Sequence, residues 1–320
     1  MELMEPAAAA PSPAHESAAQ ADLRAELKES GLKICYQSCR DGNNELYVMD
    51  ADGRNDHKIT DTTDIRESYP HVSPDGRRVC FRTLSAHQGK WRYDVYWMNV
   101  DGSGRTSVAS DATDPCWDPA GVRIMFVKRL PDSETFDYKN TGLYVHDTQT
   151  GRTEEVTDGE LYHAYVPCWS PAGDWAVATV HEHAQFGHAL VALDLRTGRI
   201  SSLKRTAKSG CRPDLSWDGK MLCWNADDYH IFVAPFDPTS TEKNPGHAIA
   251  EAPEGGSVYY GDWSPDGRYI AYAMTPDVES SHPVTRGPWD IFVTRAEGGA
   301  CVQITFDHAH NKQPDFFLPR

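Results

Sequence analysis

The densest group of residues that could do chemistry is the segment His181-Glu182-His183-Ala184-Gln185-Phe186-Gly187-His188. Two histidines at positions i and i+2 lie on the same side of an extended strand, and His188 follows them closely. Neutral imidazole is a good ligand for Zn, Mn or Ni. With His163, these side chains could hold one divalent cation, Mn or Zn. The alternative, which we favour from the sequence, is that these histidines are exposed or hydrogen-bonded to the backbone and hold no metal.

Other catalytic signatures are absent from the sequence. It has no Gly-x-Ser-x-Gly elbow, no phosphate-binding glycine loop and no dinucleotide fingerprint. The net charge of −16, from 47 acidic and 31 basic residues, argues against a nucleic-acid partner, because no excess of cations is left to displace the counterions of the phosphates. No apolar stretch is long enough for a membrane span.

The strands that position these residues are indicated by a short turn motif that recurs every 45 to 52 positions. Its typical form is Ser-Pro-Asp-Gly, as in residues 73–76. Self-similarity at this period indicates a repeat architecture. Pro and Asp-Gly suit tight turns, so Asp75, Asp218 and Asp266 are expected to form turns rather than do chemistry. The five copies begin at Ser73, Asp118, Ser170, Ser216 and Ser264.

Each repeat also contains a β-rich run, an alternating strand and a short polar strand, and four antiparallel strands in a unit of this length are typical of a propeller blade. The alternating strand occurs six times but the turn motif only five. Gln313–Phe317 begins a repeat that stops, and Lys33–Ser38 continues one that lacks its first strand. The sequence therefore predicts an all-β, six-bladed β-propeller over residues 33–320, closed by pairing of the two terminal segments.

The copies of this unit resemble those of TolB-like propellers built from PD40 repeats, a WD40-like family. The resemblance implies a bacterial, soluble protein that binds a protein or peptide segment at the face of the central pore. It also implies the periplasm or cell envelope. TolB itself has a separate α/β domain before the propeller, and here only residues 1–32 precede the first blade.

In such rings, partners bind at the face that carries the loops between second and third strands and the connections between blades. Our register places nine of the fourteen histidines there: His87, His163, His181, His183, His188, His230, His282, His308 and His310. Residues just before the inner strands add a mixture of charged and aromatic side chains, which suits a binding pocket. The predicted contacts are Glu67, Tyr69, Asp114, Tyr165, Arg212, Tyr260, Asn311 and Lys312.

Two functions follow from these predictions. The first is a non-enzymatic, monomeric binding module that docks a protein or peptide segment through its pore mouth. The second is a metal-dependent polysaccharide lyase or hydrolase that resembles oligogalacturonate lyases. Its metal ligands would be His163, His181 and His183, and Arg212 would clamp the substrate carboxylate or act as the base. Those lyases have more than six blades, which weakens this alternative.

The terminal segment and the cysteines bear on the compartment. Residues 1–32 are expected to be a disordered tail in which Ala21–Ser30 could form a short helix. Met1–Gln20 lacks the features of a secretion signal. The eight cysteines are expected to be free thiols, because five of them recur at equivalent apolar positions of the repeats. Free thiols suit the cytoplasm, which is the expected location if this amino terminus is native.

Overall fold

The computed structural model describes residues 16–130, 140–157, 159, 161–203, 210–240, 245–276 and 287–320. In this part of the chain, 24 strands form six four-stranded antiparallel sheets, and one helix, α1 (Ala18–Glu29), precedes them. The six sheets are the blades of a propeller, and the predicted all-β fold is confirmed.

The blades follow the order of the chain, except that the last strand joins the first blade. The first blade contains β1 (Lys33–Ser38), β2 (Glu45–Asp50), β3 (His57–Lys58) and β24 (Lys312–Phe317). The second contains β4 (Ile65–Val72), β5 (Arg78–His87), β6 (Lys90–Asn99) and β7 (Thr106–Ser110). The third contains β8 (Ala112–Trp117), β9 (Arg123–Arg129), β10 (Asn140–Asp147) and β11 (Thr153–Glu155).

The remaining three blades are built in the same way. The fourth contains β12 (Ala164–Trp169), β13 (Trp175–His183), β14 (Gly187–Asp194) and β15 (Ile200–Ser202). The fifth contains β16 (Cys211–Leu215), β17 (Met221–Asn225), β18 (His230–Pro235) and β19 (His247–Glu251). The sixth contains β20 (Ser257–Trp263), β21 (Tyr269–Thr275), β22 (Asp290–Arg295) and β23 (Cys301–Gln303).

The ring closes through the chain termini, as predicted. Strand β24 pairs antiparallel with β1, in a register that sets Lys33 opposite Phe317 and Ile34 opposite Phe316. Because β24 is the inner strand of the first blade, both terminal segments are needed to complete one sheet. The paired edges leave no open sheet edge at the seam of the ring.

Apolar side chains pack between neighbouring blades, in one cluster for each of the six interfaces. Cys35 and Cys80 lie fully buried in two of these clusters. All eight cysteines fall in the described residues, and no disulfide joins any of them. The predicted role of the repeat-equivalent cysteines as small buried hydrophobes is confirmed.

The recurring motif forms the turn between the first and second strands of the second to sixth blades. In the last copy, the Ser264 hydroxyl donates to Asp266 Oδ1 at 2.6 Å and accepts the Tyr269 N–H at 2.9 Å. Asp266 Oδ1 also lies 3.1 Å from the Arg268 N–H. Asp75 and Asp218 make the same turn contacts, which confirms that these carboxylates are turn formers.

Helix α1 is longer than the predicted segment and begins three residues earlier, at Ala18. Ser17 and Gln20 form a capping box that fixes this start. Leu23 and Leu27 are buried against the first and sixth blades, and this surface stabilises a helix that would be marginal alone. No helix of the described residues has the length and apolar content needed to cross a membrane. Of the predicted disordered tail, Met1–Gln20, residues 1–15 lie outside the described part, and Ala18–Gln20 belong to the helix.

Candidate functional site: the mouth of the central channel

The inner strands of all six blades share a bulge, at which the register with the second strand shifts. One residue of each bulge has a left-handed backbone, with φ between 46° and 63°. Five of these six residues precede a proline, although this region is disfavoured there, so the packed ring must hold them in it. We call them the upper tier, and they are Tyr69, Asp114, Val166, Arg212, Tyr260 and Gln313.

The bulge exposes consecutive residues to the channel. In a regular strand, neighbouring side chains point to opposite faces, but here the upper-tier residue and the two residues that follow it all line one cavity. The residues two positions further along form a second ring, which we call the lower tier. It consists of His71, Cys116, Cys168, Asp214, Asp262 and Asp315.

Aromatic and charged side chains meet in the upper tier. The hydroxyls of Tyr69 and Tyr260 lie 3.2 Å apart, and the two rings pack edge to face. The Arg82 guanidinium lies 4.1 Å above the Tyr69 ring and 3.7 Å from Asp114 Oδ1. Asp114 also accepts the Val166 N–H at 3.1 Å, so one carboxylate both balances Arg82 and links two blades.

Arg212 has no such counterion. Its side chain lies among three tyrosine rings, 4.6 Å from Tyr259, 4.9 Å from Tyr260 and 5.9 Å from Tyr165. One terminal nitrogen donates to Cys211 Sγ at 3.0 Å, but sulfur is a weak acceptor. Among the described residues no carboxylate lies within ion-pair distance of Arg212, and its buried Nε has no hydrogen-bond partner.

Four side chains of the lower tier each bond to the backbone of the next blade. Asp214 accepts the Trp263 N–H at 2.9 Å, and Asp262 accepts the Phe316 N–H at 2.6 Å. Asp315 accepts the Val72 N–H at 2.8 Å, and His71 Nδ1 accepts the Trp117 N–H at 3.2 Å. These side chains therefore satisfy backbone donors across four blade interfaces.

Burial dominates the protonation of this tier. It raises the pKa of Asp214 to about 7. The pKa values of Asp262 and Asp315 are also raised well above the usual range, by burial and by the neighbouring carboxylates. Burial lowers the pKa of His71 to about 4. The lower tier is thus a group of carboxyl groups that resist ionisation beside a neutral imidazole.

The channel opens on the opposite face into a second cavity, of about 240 Å³. The turn motifs form its wall, and Trp217 takes the place of the motif proline in the fifth blade. The Trp217 side chain is exposed. The lower-tier carboxyl groups form the floor between the two openings.

The structure brings only some of the predicted contacts together. Tyr69, Asp114, Arg212 and Tyr260 line the channel, but they lie inside the inner strands rather than before them, because these strands begin earlier than predicted. Tyr165 is buried beside the channel, and its hydroxyl lies 3.1 Å from His188 Nε2.

Glu67 does not lie at the channel mouth. It is fully buried between the first two blades and pairs with Arg105 at 2.8 Å. Burial, with the nearby charge of Glu45, raises its pKa to about 7, against the opposing effect of Arg105. The predicted placement was wrong because Glu67 precedes the bulge of β4, whereas Tyr69 lies within it, so the two side chains do not share a face.

Asn311 and Lys312 are also buried rather than presented to a partner. Asn311 Nδ2 donates to Asp290 Oδ1 at 3.1 Å and to Thr305 Oγ1 at 3.2 Å, so it organises the connection to the last strand. Lys312 Nζ lies 3.8 Å from the centre of the Trp289 ring. Burial, and then the charge of Arg212, lower the Lys312 pKa well below its ordinary value.

The four candidate metal ligands lie near one another at the fourth blade, but their side chains make separate contacts. His163 Nδ1 is 3.0 Å from the His181 carbonyl. His183 is buried and stacks between Tyr162 and Phe186. The rings of His181 and exposed His188 have centroids 5.1 Å apart. In the part of the chain described here, no three His, Cys, Asp or Glu side chains converge to hold a metal. His282 lies outside that part.

Sequence reasoning missed Arg82 and the lower tier. The lower tier does have a signal, because Arg212-Pro213-Asp214 and Gln313-Pro314-Asp315 recur at the same point of two repeats, just before the turn motif. Arg82 has none, since it lies in the middle of a second strand and reaches the channel mouth only through its length.

The comparisons with known proteins agree on the fold. No family model matches the chain. TolB from Acinetobacter baumannii matches with a TM-score of 0.68 and 16% identity, over 90% of this chain and 67% of that chain. The chain has the TolB-like six-bladed propeller fold.

Propellers with other titles are also similar. A chain of the Nidogen/Laminin complex matches with a TM-score of 0.62 and 8% identity, over 90% of this chain and all of that one. An oligogalacturonate lyase in complex with manganese matches with a TM-score of 0.51 and 14% identity, over 87% of this chain and 74% of that one. At such identities the TolB-like likeness concerns the fold, and the fold hosts different functions.

Proposed function

We propose that this propeller is a non-enzymatic binding module whose channel mouth takes an extended protein segment that carries a carboxylate. The observation that supports this most directly is Arg212, whose buried guanidinium has no counterion among the described residues. A guanidinium offers paired donors that match a carboxylate. An incoming carboxylate would balance this charge.

The surroundings of Arg212 suit a protein ligand. Tyr69 and Tyr260 combine apolar rings with hydroxyl groups, and such residues are enriched where proteins meet. Arg82 and Arg212 supply two positive charges at the mouth, and Asp114 supplies one negative charge. The mouth is therefore locally basic in a chain whose net charge is −16, which favours an acidic segment over a basic one.

A selection of short random peptides on the wild-type protein tests this function, followed by fluorescence anisotropy with the selected synthetic peptides. We expect them to share Asp, Glu or a free carboxyl terminus, and to bind at least about tenfold more weakly when that group is converted to an amide. Arg212→Met should weaken binding to a similar extent, and Arg212→Lys should restore it only in part.

The matched control is Arg152→Met, because Arg152 follows a turn on the opposite face and its side chain is 78% exposed. Thermal melts of each variant establish that the fold is retained. Peptides without a shared acidic group, or equal binding by wild type and Arg212→Met, would overturn the proposal.

A metal-dependent polysaccharide lyase or hydrolase is the second candidate, because the same guanidinium could clamp the carboxylate of a uronate. The histidines of the fourth blade do not converge on a metal position in the described residues, so no catalytic step is derived through them. Elemental analysis and an assay for unsaturated products from oligogalacturonate separate the two functions. Bound Mn or Zn that is lost in His181→Ala, together with turnover, would favour the enzyme.

The cell-envelope location implied by the resemblance is a separate proposal. Fractionation of the native host with an antibody against the chain tests it, and recovery with a cytoplasmic marker would contradict it. The proposed binding function stands or fails independently of this result.

A further inference from the structure

A buried cluster of oxygen atoms, which we call the oxygen pocket, lies between the first and second blades, apart from the channel. Glu45 begins β2, Thr62 lies in the connection between the two blades, and Ile65 and Glu67 belong to β4. Glu45 is 2% exposed and Glu67 is 0% exposed. The Thr62 hydroxyl lies 3.4 Å from Glu45 Oε1 and 3.0 Å from Glu67 Oε2, so both carboxylates face the same connection.

The pocket has more acceptors than donors, even when the Thr62 N–H is counted, which donates to Glu45 Oε1 at 2.9 Å. The single Thr62 hydroxyl hydrogen has carboxylate oxygens of two residues and the Ile65 carbonyl, at 2.7 Å, within reach. The Asn43 amide nitrogen, with two hydrogens, faces three oxygens: Glu45 Oε1 at 3.0 Å, the Thr62 carbonyl at 2.8 Å and the Ile65 carbonyl at 2.6 Å.

One oxygen of the pocket is left without any donor. Glu45 Oε2 is buried and has no hydrogen-bond partner. Leaving a buried acceptor unsatisfied costs about 1–3 kcal/mol, and more when the group is charged. This orphan atom is evidence for a missing donor or cation, and that evidence does not depend on the contacts among the other groups.

The charges of the pocket lead to the same conclusion. Two carboxylates are buried together, and the cation in contact with Glu67 is Arg105, at 2.8 Å. Arg105 reaches Glu67 along the rings of Phe81 and Tyr96, so it pairs with a carboxylate of its own, second blade. Glu45 belongs to the first blade, and no ion pair of the described residues joins it to Arg105. A buried carboxylate without a counterion is unfavourable.

We propose that this pocket binds a calcium ion, which ties the first blade to the second. Its possible donors are the carboxylates of Glu45 and Glu67, the Thr62 hydroxyl, and the carbonyls of Thr62 and Ile65. They are all oxygen atoms, which Ca²⁺ prefers, and they could provide the six to eight ligands that it takes. Softer metals are disfavoured because the pocket offers neither imidazole nor thiolate.

Calorimetric titration of the EDTA-treated protein with CaCl₂, combined with thermal melts, tests this site. We expect one calcium ion per chain, and a melting temperature raised by about 4–5 °C at a calcium concentration one hundred times Kd. Glu45→Gln should abolish both effects. Asp61→Asn is the matched control, because Asp61 adjoins Thr62 and its side chain is 86% exposed, so it should leave both effects unchanged.

A variant that gains affinity keeps the test decisive if Glu45→Gln does not fold. Asn43→Asp places a third carboxylate where the amide now contacts three oxygens. It should bind calcium at least about tenfold more tightly than wild type and melt at a lower temperature than wild type in EDTA.

The alternative is that the two carboxylates share a proton and bind no cation. In that case wild type would show no heat of calcium binding and no calcium-dependent shift. Glu45→Gln would then melt at a higher temperature than wild type in EDTA, because an amide supplies the missing donor. Either that pattern, or an equal calcium response in wild type and Glu45→Gln, would overturn the calcium site.

Discussion

At the scale of single residues, the six positions at the channel mouth share a backbone conformation but differ in the chemistry of their side chains. The six upper-tier residues share one left-handed backbone, yet their side chains include two phenols, a carboxylate, a guanidinium, an amide and an isopropyl group. The packed ring imposes the backbone, so the residue at each position is left to set the chemistry. Arg212 and Asp114 therefore have opposite charges at equivalent points of two blades.

In the turn motif, by contrast, the side chain itself stabilises the fold. Ser264 is fully buried and makes two hydrogen bonds, so we expect Ser264→Ala to lower the free energy of unfolding by about 1–2 kcal/mol. Ser103 bonds to Asp101 in a similar way, but on the surface. Ser103→Ala should change stability by no more than about 0.5 kcal/mol. Urea unfolding of both variants measures this difference, and equal effects would contradict the role assigned to the buried serine.

At the scale of elements, the repeat predicts the blades but not the bulges. Alternation and turn residues suffice to place strands such as Glu45–Asp50 and to close the ring with Lys33–Ser38, because they are local signals. The bulge changes the facing of side chains within one strand. For this reason Arg212 and Tyr260 line the channel, whereas Glu67 is buried between the first two blades.

Helix α1 is stabilised mainly by its packing against the blades rather than by its own helix propensity. Its capping box, Ser17 with Gln20, is readable in the sequence, but nothing in the sequence identifies the groove that Leu23 and Leu27 fill. Glu26 adds a 2.7 Å ion pair with Arg295 of the sixth blade. The helix therefore covers the interface between the first and sixth blades.

Leu27→Ala should release this helix. Leu27 is 1% exposed, and truncating such a leucine costs about 2–5 kcal/mol. We expect hydrogen exchange of the α1 amides to accelerate by about thirtyfold or more. Lys28→Ala is the control, because Lys28 is exposed and its removal should leave exchange nearly unchanged. Unchanged protection in Leu27→Ala would mean that the helix is not held by this contact.

At the scale of the whole molecule, the lower tier is a property of the closed ring. Asp214, Asp262 and Asp315 come from three successive blades, and β24, which carries Asp315, joins the ring only through the termini. Each carboxyl group accepts a backbone N–H of the next blade. The same closure buries these carboxyl groups near one another. The carboxyl groups that join the blades are therefore also the ones whose pKa values are raised.

The raised pKa of Asp214 makes the free energy of unfolding depend on pH. Its pKa is about 7 in the folded chain and about 3.9 when exposed. Between these values the folded state retains a proton that the unfolded state has lost, so the contribution of Asp214 to stability falls as pH rises. His71, whose folded pKa is about 4, acts in the opposite direction below about pH 6.5. The informative quantity is therefore the difference between wild type and Asp214→Asn.

Asparagine retains an oxygen that can accept the Trp263 N–H but does not titrate. We expect Asp214→Asn to gain stability relative to wild type as pH rises from 5 to about 7, by at most about 1.4 kcal/mol per pH unit, with little further change above that range. Asp218→Asn is the control. The pKa of this turn carboxylate is lowered to about 2, chiefly by its bond to Ser216, so removing it should shift stability by the same amount at every pH from 5 to 8. Parallel unfolding profiles for wild type and Asp214→Asn would show that the channel does not hold Asp214 in its protonated form.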